Sequence, residues 1–146
     1  MIYFIDEDIG QAEAWCFSLR TAGFETEQIR DANSAYRTLS SVDNVELVFI
    51  DVMLAVNDSV GSDGGDYNRK RTEDNMITGL CLLDDLSAKL GPQFLKKCIL
   101  LSCTGKDRVL SRIRAKSNEL KVPFWPKFDF QEPRDFTDKV KEILNK

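Results

Sequence analysis

Strand-like and helix-like patterns alternate along this chain, and the alternation limits the folds that it can adopt. Short apolar runs at residues 2–5, 45–50, 97–101 and 122–125 predict buried strands, and a more polar run predicts another strand at residues 24–29. Each run is followed by an amphipathic stretch of helical period. Such alternation predicts a parallel sheet with right-handed crossovers and helices on both faces. We therefore expect an α/β fold, a three-layer (βα)5 sandwich.

The predicted helices are bounded by capping and breaking residues. Gly23 fits the position after the first helix, where a positive φ is common, and Asn33 fits the N-cap of the second. Gly91 and Pro92 end the third helix, and Pro133 suits the first turn of the last. The predicted helices are, in order, a helix that begins at Asp8 or Gly10 and ends at Ala22, a short helix that begins at Asn33, residues 79–90, residues 106–120 and a helix that begins at Pro133.

Residues 55–75 interrupt the alternation. The segment is polar, has no apolar periodicity and contains Gly61, Gly64 and Gly65. A structureless loop of about 20 residues is uncommon in a compact domain, and such loops are usually functional or disordered. We expect a solvated insertion after the third strand, with an ordered lid or a partner-docking loop as the alternative. The whole chain, residues 1–146, is expected to form one domain around this insertion.

Polar side chains stand at the ends of four predicted strands. In open parallel α/β sheets, ligands bind at the carboxyl ends of the strands. With the flavodoxin-like strand order 2-1-3-4-5, the ends of the first and third strands are neighbours. Acids, a hydroxyl and an amine are the groups that a Mg²⁺-dependent phosphoryl site uses. These strand-end residues are Asp6, Glu7, Asp8, Asp51, Ser102 and Lys127.

Asp51, directly after the apolar run at residues 45–50, is the candidate nucleophile. An attacking carboxylate needs the charge of the phosphoryl group to be neutralised, because two anions repel each other. Mg²⁺ is the usual counter-ion, since it takes oxygen ligands and retains several waters. Lys127 could hold the transferred oxygens, and the Ser102 hydroxyl could donate to one of them. These residues predict phosphoryl transfer to Asp51, with formation of an acyl phosphate.

Composition excludes several classes of function. A net charge of −4 gives no basic footprint for nucleic acid, and no stretch approaches the roughly 20 apolar residues of a membrane span. The sequence has no histidine, which excludes Ser-His-Asp and Cys-His catalysis and His-based zinc sites. No signal sequence is recognisable, so residence in the cytoplasm is expected. The four scattered cysteines are expected to be buried free thiols.

The order of these residues resembles the receiver domain of two-component response regulators, over the whole chain apart from the insertion. The first strand with Asp6 and Glu7 resembles the family's first strand and its acidic pair. Asp51 lies where the family carries its phosphoacceptor, and Gly79 lies where a glycine opens the third helix. The remaining matches are Gly23-Phe24 after the first helix, Val52-Met53-Leu54 after the phosphoacceptor, Ser102 at the hydroxyl switch position, Phe124 at the aromatic switch position and Lys127 at the family's lysine.

The resemblance implies a magnesium site. Glu7 and Asp51 would contact Mg²⁺ directly, Asp6 would assist through water, and the backbone carbonyl of Met53 would complete the protein ligands. The phosphoryl donor would be a histidine kinase or a phosphotransfer protein. The domain would have no enzymatic activity beyond phosphoryl transfer to itself and its own dephosphorylation.

The resemblance also implies a two-state switch. Phosphate on Asp51 would draw in Ser102, and Phe124 would rotate into the space that Ser102 leaves. The change would reach the face formed by the fourth helix, the fifth strand and the fifth helix. Output would pass to a downstream protein by contact, with phosphorylation-linked dimerisation as a further possibility.

The chain departs from the family pattern at two loops. Ala55 stands where the family usually has a proline after the phosphoacceptor strand, and the long insertion follows it. Pro126 precedes Lys127 and Phe128 follows it, whereas the family places a proline after the lysine. The resemblance therefore does not specify the loop geometry around Lys127.

Two other functions remain open from the sequence. In a phosphohydrolase resembling haloacid dehalogenases, Asp6 would be the nucleophile and Asp8 the acid, and Asp51 would have no role. In a degenerate receiver, a partner would bind without phosphorylation, with the insertion as the recognition element. Five basic residues in the predicted fourth helix are expected to form a solvated face, with an acidic partner as the alternative; they are Lys106, Arg108, Arg112, Arg114 and Lys116.

Overall fold

The central sheet consists of five strands: β1 (Ile2–Ile5), β2 (Thr26–Ile29), β3 (Leu47–Asp51), β4 (Cys98–Ser102) and β5 (Phe124–Pro126). All neighbouring strands pair in parallel, in the order β2-β1-β3-β4-β5. This computed structural model describes residues 1–8, 10–54, 67–68 and 70–144. The predicted flavodoxin-like α/β fold and its strand order are confirmed.

Six α-helices flank the sheet in the described part of the chain: α1 (Gln11–Thr21), α2 (Ala32–Leu39), α3 (Thr78–Leu90), α4 (Pro92–Leu95), α5 (Asp107–Leu120) and α6 (Pro133–Leu144). The sequence pattern does not predict the short helix α4, because Gly91 and Pro92 indicate only the end of α3. Gly91 has φ 83° and does end α3, while Pro92 opens the next turn, where its missing N–H costs nothing. The helix predicted over residues 106–120 is therefore α5.

The N-cap of α2 differs from the prediction. Asp31, rather than Asn33, caps the helix, because its Oδ1 accepts a hydrogen bond from the backbone N of Ser34 at 2.8 Å. Asn33 lies within the first turn and is buried. Both residue types favour N-caps, so the sequence alone did not separate the two positions.

Side chains alternate between two cores, one on each face of the sheet. On one face, α1 and α6 pack against an aromatic cluster centred on Phe136, whose ring lies 4.3 Å from that of Trp15 and 5.0 Å from that of Phe49. On the other face, α2, α3, α4 and α5 bury mainly aliphatic side chains. These two cores hold the carboxyl ends of β1, β3, β4 and β5 at a common edge.

The last part of the predicted insertion packs against the domain. Tyr67 and Thr72 are buried, and Arg71 Nη2 lies 2.8 Å from Asp85 Oδ1 of α3. The Arg71 guanidinium also lies 5.1 Å from the centre of the Tyr67 ring. The described residues of this part therefore fit the ordered alternative better than a solvated insertion, while residues 55–66 and 69 lie outside the described residues.

Two further expectations concern the burial of the four cysteines and the absence of a membrane-spanning helix. All four cysteines are free, but Cys103 is exposed, which corrects the expectation that all are buried. It follows the buried end of β4, where the chain turns outward into the loop before α5. No helix in the described ranges is long and apolar enough to cross a membrane.

Gly79 brings α3 against the end of β3. A Cβ at this position would lie 2.3 Å from the carbonyl oxygen of Asp51 and 2.7 Å from the Cα of Val52. The Gly79 N–H donates to the carbonyl oxygen of Val52 at 2.8 Å, so the two backbones are in direct contact. No side chain can be accommodated without moving the strand that carries Asp51.

Gly79→Ala is expected to lower the free energy of unfolding by about 1–3 kcal/mol, the usual cost of overpacking a buried site. Urea denaturation measures the change. Gly105→Ala is the matched control, because a Cβ there would meet no atom within 4 Å. Equal stabilities for the two variants would contradict the close approach of α3 to β3.

Candidate functional site

Three buried ionisable side chains meet at the carboxyl edge of the sheet. Lys127 Nζ lies 2.7 Å from Asp6 Oδ2 and 3.6 Å from Asp51 Oδ2. The three residues are 4%, 1% and 7% exposed, in that order. They come from the ends of β5, β1 and β3, so the topology brings together residues that are far apart in the sequence. The result is one ammonium shared by two carboxylates.

The Asp51 carboxyl group is poised to change its charge near neutrality. Burial and the nearby charge of Asp6 raise the pKa of Asp51 to about 7, although the Lys127 ammonium opposes the shift. The remaining contact is long, since the backbone N of Met53 donates to Asp51 Oδ1 at 3.4 Å. Asp51 therefore has the longest hydrogen-bond and ion-pair contacts of the three groups.

Lys127 stays charged in this setting. Burial alone would lower the pKa of its ammonium, but the carboxylates of Asp51 and Asp6 outweigh burial and raise it. When both acids are ionised, the three side chains carry one net negative charge. A second cation is therefore electrostatically favoured beside them.

Backbone and side-chain contacts hold Asp6 in place. Asp6 Oδ1 accepts a hydrogen bond from the backbone N of Asp8 at 2.9 Å. The side-chain amide of Gln28 donates to the carbonyl oxygens of Asp6 and Asp8, at 2.7 Å and 2.9 Å. Sequence reasoning missed Gln28, because it lies in the polar strand β2 and supports the site only through the register of β1 and β2. The Asp8 carboxylate accepts from the backbone N of Gly10, at the start of α1.

Glu7 takes a different position from the central three residues. The Glu7 side chain is exposed. The backbone carbonyl oxygen of Glu7 accepts a hydrogen bond from Arg30 Nη2 at 3.3 Å. Within the described ranges, no group of three or more acidic, Cys or His side chains could hold a metal ion. Asp6 and Asp51 are the two acids whose carboxylates converge on one ammonium.

Two carboxylates fit a hydrated divalent cation. Mg²⁺ commonly keeps several waters and binds through only one or two carboxylates. Asp51 has long contacts and a raised pKa, so its carboxylate has lone pairs available and gains from a further positive charge. Asp6 and Asp51 could therefore hold Mg²⁺, while the predicted roles of Glu7 and the Met53 carbonyl remain predictions.

The predicted switch residues lie on the neighbouring strands. Ser102 is 1% exposed, and its Oγ accepts a hydrogen bond from the backbone N of Thr104 at 3.1 Å. Thr104 Oγ1 in turn accepts from the backbone N of Lys106, just before α5. Phe124 is half-buried and packs against the core on the α3 and α5 side of the sheet. Two local hydrogen bonds thus connect Ser102, at the end of β4, to Lys106, the residue before α5.

Comparisons with known proteins identify the fold. A CheY-like response regulator receiver domain protein from Methanospirillum hungatei JF-1 has a TM-score of 0.67 and 18% identity, and the match covers 99% of this chain and 92% of that one. The receiver domain of a signal transduction histidine kinase from Syntrophus aciditrophicus has a TM-score of 0.66 and 22% identity, and the match covers 99% of this chain and 89% of that one. A response regulator from Thermotoga maritima has a TM-score of 0.62 and 16% identity, and the match covers 99% of this chain and 97% of that one.

Similarity is confined to structure. No protein family matches the sequence, and no curated protein matches it. The chain nevertheless has the fold of response regulator receiver domains, and the predicted resemblance is confirmed at the level of the fold.

Proposed function

We propose that this chain is a signalling switch of the receiver type, in which Asp51 accepts a phosphoryl group in the presence of Mg²⁺. The observation that carries the proposal is the shared ammonium of Lys127 between Asp6 and Asp51, buried at the carboxyl edge of a receiver-like sheet. The composition of this cluster supports phosphoryl chemistry, because it combines a nucleophile, a second acid and a fixed positive charge.

The proposed reaction is transfer from a phosphohistidine of a histidine kinase or a phosphotransfer protein. An oxygen of the Asp51 carboxylate bonds to phosphorus while the bond from phosphorus to the histidine nitrogen breaks, and the product is an acyl phosphate. Lys127 attracts the transferred oxygens as a point charge. Bound Mg²⁺ would supply charge neutralisation, held by Asp6 and Asp51 with Glu7 and the Met53 carbonyl as the further predicted ligands.

The nucleophile must be ionised, and its surroundings control that state. Without a cation, burial and the charge of Asp6 keep the pKa of Asp51 near 7. A further positive charge at this position favours the carboxylate. The site would therefore become most reactive when the cation binds, which links phosphorylation to cation binding.

The proposed switch begins with the hydroxyl of Ser102. In the unphosphorylated protein this oxygen accepts from the backbone N of Thr104. A phosphoryl group on Asp51 would attract the hydroxyl as a donor, and Phe124 would follow. To move the population from 1:99 to 99:1, the phosphoryl group must favour the second state by about 5.5 kcal/mol. The expected output is contact with a downstream protein.

Phosphorylation is tested by incubating the protein with acetyl phosphate and Mg²⁺ and measuring its intact mass. The expected result is an adduct of one phosphoryl group that is lost in Asp51→Asn. Asp138→Asn is the matched control, because this acid on α6 is exposed and makes none of the contacts described at the site, so its loss should leave the adduct unchanged. An unmodified parent protein, or an adduct that survives Asp51→Asn, would overturn the proposal.

The same variants separate the other two functions. Turnover of a generic phosphate ester that is lost in Asp6→Asn and kept in Asp51→Asn would favour the phosphohydrolase. Partner binding that needs neither Mg²⁺ nor Asp51 would favour the degenerate receiver. The described geometry favours Asp51 as the acceptor, since Asp6 is already engaged by Lys127 at 2.7 Å and by the backbone N of Asp8.

A further inference from the structure

A charged cleft of about 720 Å³ lies between α5 and the segment that leads into α3. Its lining includes four cations and two anions, although the whole chain carries a net charge of −4. Met76, Ile77 and Val109 add an apolar part. The charged lining residues are Lys70, Glu73, Asp74, Lys106, Arg108 and Arg112.

We propose that this cleft is a docking site for an acidic segment of a partner protein, and that Glu73 occupies the site as an internal competitor. The proposal concerns a surface separate from Asp51 and does not depend on phosphorylation. It assigns a role to the part of the predicted insertion that packs against the domain.

Glu73 identifies the chemical group that fits the cleft. Its Oε1 lies 2.6 Å from Arg108 Nη2, and its Oε2 contacts Arg112 Nη1. The two arginines are one turn apart on α5 and so point the same way. Hydrogen bonds from Arg112 and Arg108 lower the pKa of Glu73, so it is held as a carboxylate. The arginine pair is therefore already an anion site.

Two further cations remain available beside the arginine pair. Lys70 and Lys106 are exposed, and among the described residues neither ammonium forms an ion pair. A segment with several acids could pair with them as well as with Arg108 and Arg112. Charge complementarity thus favours an acidic chain longer than a single carboxylate.

The backbone conformation around Glu73 is an unfavourable one, and this opposes the ion pairs of Glu73 with Arg108 and Arg112. Glu73, Asp74 and Asn75 have φ of 52°, 57° and 70°, a left-handed region that is uncommon for residues other than glycine, although aspartate and asparagine enter it more readily as single residues. The Asn75 side-chain Oδ1 is buried without a hydrogen-bond partner in the described part of the chain. Such strain is found at clamps and switches. Because the Arg108 side chain is 79% exposed, its pair with Glu73 is also open to competition from solvent and partners.

An acidic protein segment fits this cleft better than nucleic acid does. The rest of the molecule is acidic, so it supplies no extended basic surface for a phosphate backbone. The apolar side chains of Met76 and Val109 suit a peptide that carries a hydrophobic residue beside its acids.

The test is a titration followed by the backbone amide signals of the ¹⁵N-labelled protein. The probe is the peptide acetyl-Glu-Asp-Asn-Met-Ile-amide, which carries the sequence of residues 73–77. In Glu73→Ala, saturable shifts are expected at residues 106–112, with binding about tenfold tighter than in the parent, because the internal competitor is removed. Glu119→Ala is the matched control, since Glu119 pairs with Lys116 elsewhere on α5 and should leave the parent affinity unchanged.

Two further arms make the result decisive. In the triple variant Glu73→Ala, Arg108→Gln, Arg112→Gln, the acidic peptide should cause no shifts. The neutral peptide acetyl-Gln-Asn-Asn-Met-Ile-amide should cause no shifts in Glu73→Ala. The proposal is overturned by any of three results: no saturable shift in Glu73→Ala, shifts that survive loss of both arginines, or tighter binding of inorganic phosphate or an oligonucleotide than of the acidic peptide. Dispersed amide signals verify that each variant is folded, and Glu73→Gln replaces Glu73→Ala if they are lost.

Discussion

Lys127→Met is expected to lower the free energy of unfolding at pH 8 by about 3–5 kcal/mol, the usual cost of removing one partner from a buried ion pair. The Lys127 ammonium is 2.7 Å from Asp6 and 3.6 Å from Asp51, and all three side chains are buried. Methionine keeps much of the volume but none of the charge. Two buried carboxylates would then repel each other without a neutralising group.

The pH dependence distinguishes lost charge from lost packing. At pH 5 one of the two acids can take up a proton, so the loss caused by Lys127→Met should be smaller than at pH 8. Urea denaturation at both pH values measures this difference. Lys96→Met, at an exposed lysine after α4, is the matched control and should change little. The same large loss at both pH values would indicate packing and contradict the electrostatic account.

Metal-free protein is expected to lose stability as the pH rises from about 4 to about 7, because of Asp51. The pKa of Asp51 is about 7 in the folded protein, against 3.8 for an unperturbed aspartate. Between these values the folded protein binds more protons than the unfolded chain, so the free energy of unfolding falls with pH, by at most about 1.4 kcal/mol per pH unit. Above the pKa of Asp51 in the folded protein, ionisation of this group causes no further loss of stability.

Asp51→Asn removes this titration. The variant should show a flatter stability profile in EDTA and should exceed the parent in stability at pH 8. Mg²⁺ added at pH 8 should restore stability to the parent but not to Asp51→Asn, since a ligand stabilises the state that binds it. Denaturation midpoints across the pH range provide the measurement, with Asp138→Asn as control. Parallel profiles for the parent and Asp51→Asn would show that Asp51 is not the titrating group.

Much of the fold could be predicted because each strand carries its own signal. The runs that became β1, β3 and β4 are apolar and end at polar residues, and parallel pairing then places those ends at one edge. This is why Asp6, Asp51 and Lys127 could be grouped before any distance was known. Boundaries shifted by one or two residues, as expected where caps compete.

Other features depend on contacts that no local pattern encodes. Sequence reasoning grouped Lys127 with Asp51, but side-chain conformation puts its nearest contact on Asp6. Gln28 supports the site only because β2 pairs with β1 in a particular register. Polar composition predicted that residues 67–75 would be solvated, whereas Tyr67 and Thr72 are buried by tertiary packing. In each case a long-range contact overrides the local preference.

The exposed thiol of Cys103 gives this protein a natural attachment point for spectroscopic labels. The other three cysteines are buried and free, so a maleimide dye or a nitroxide spin label should react first at Cys103 in the native state. Cys103 directly follows Ser102 at the end of β4. A reporter there would follow movements of the loop between β4 and α5 in real time, without any engineered cysteine.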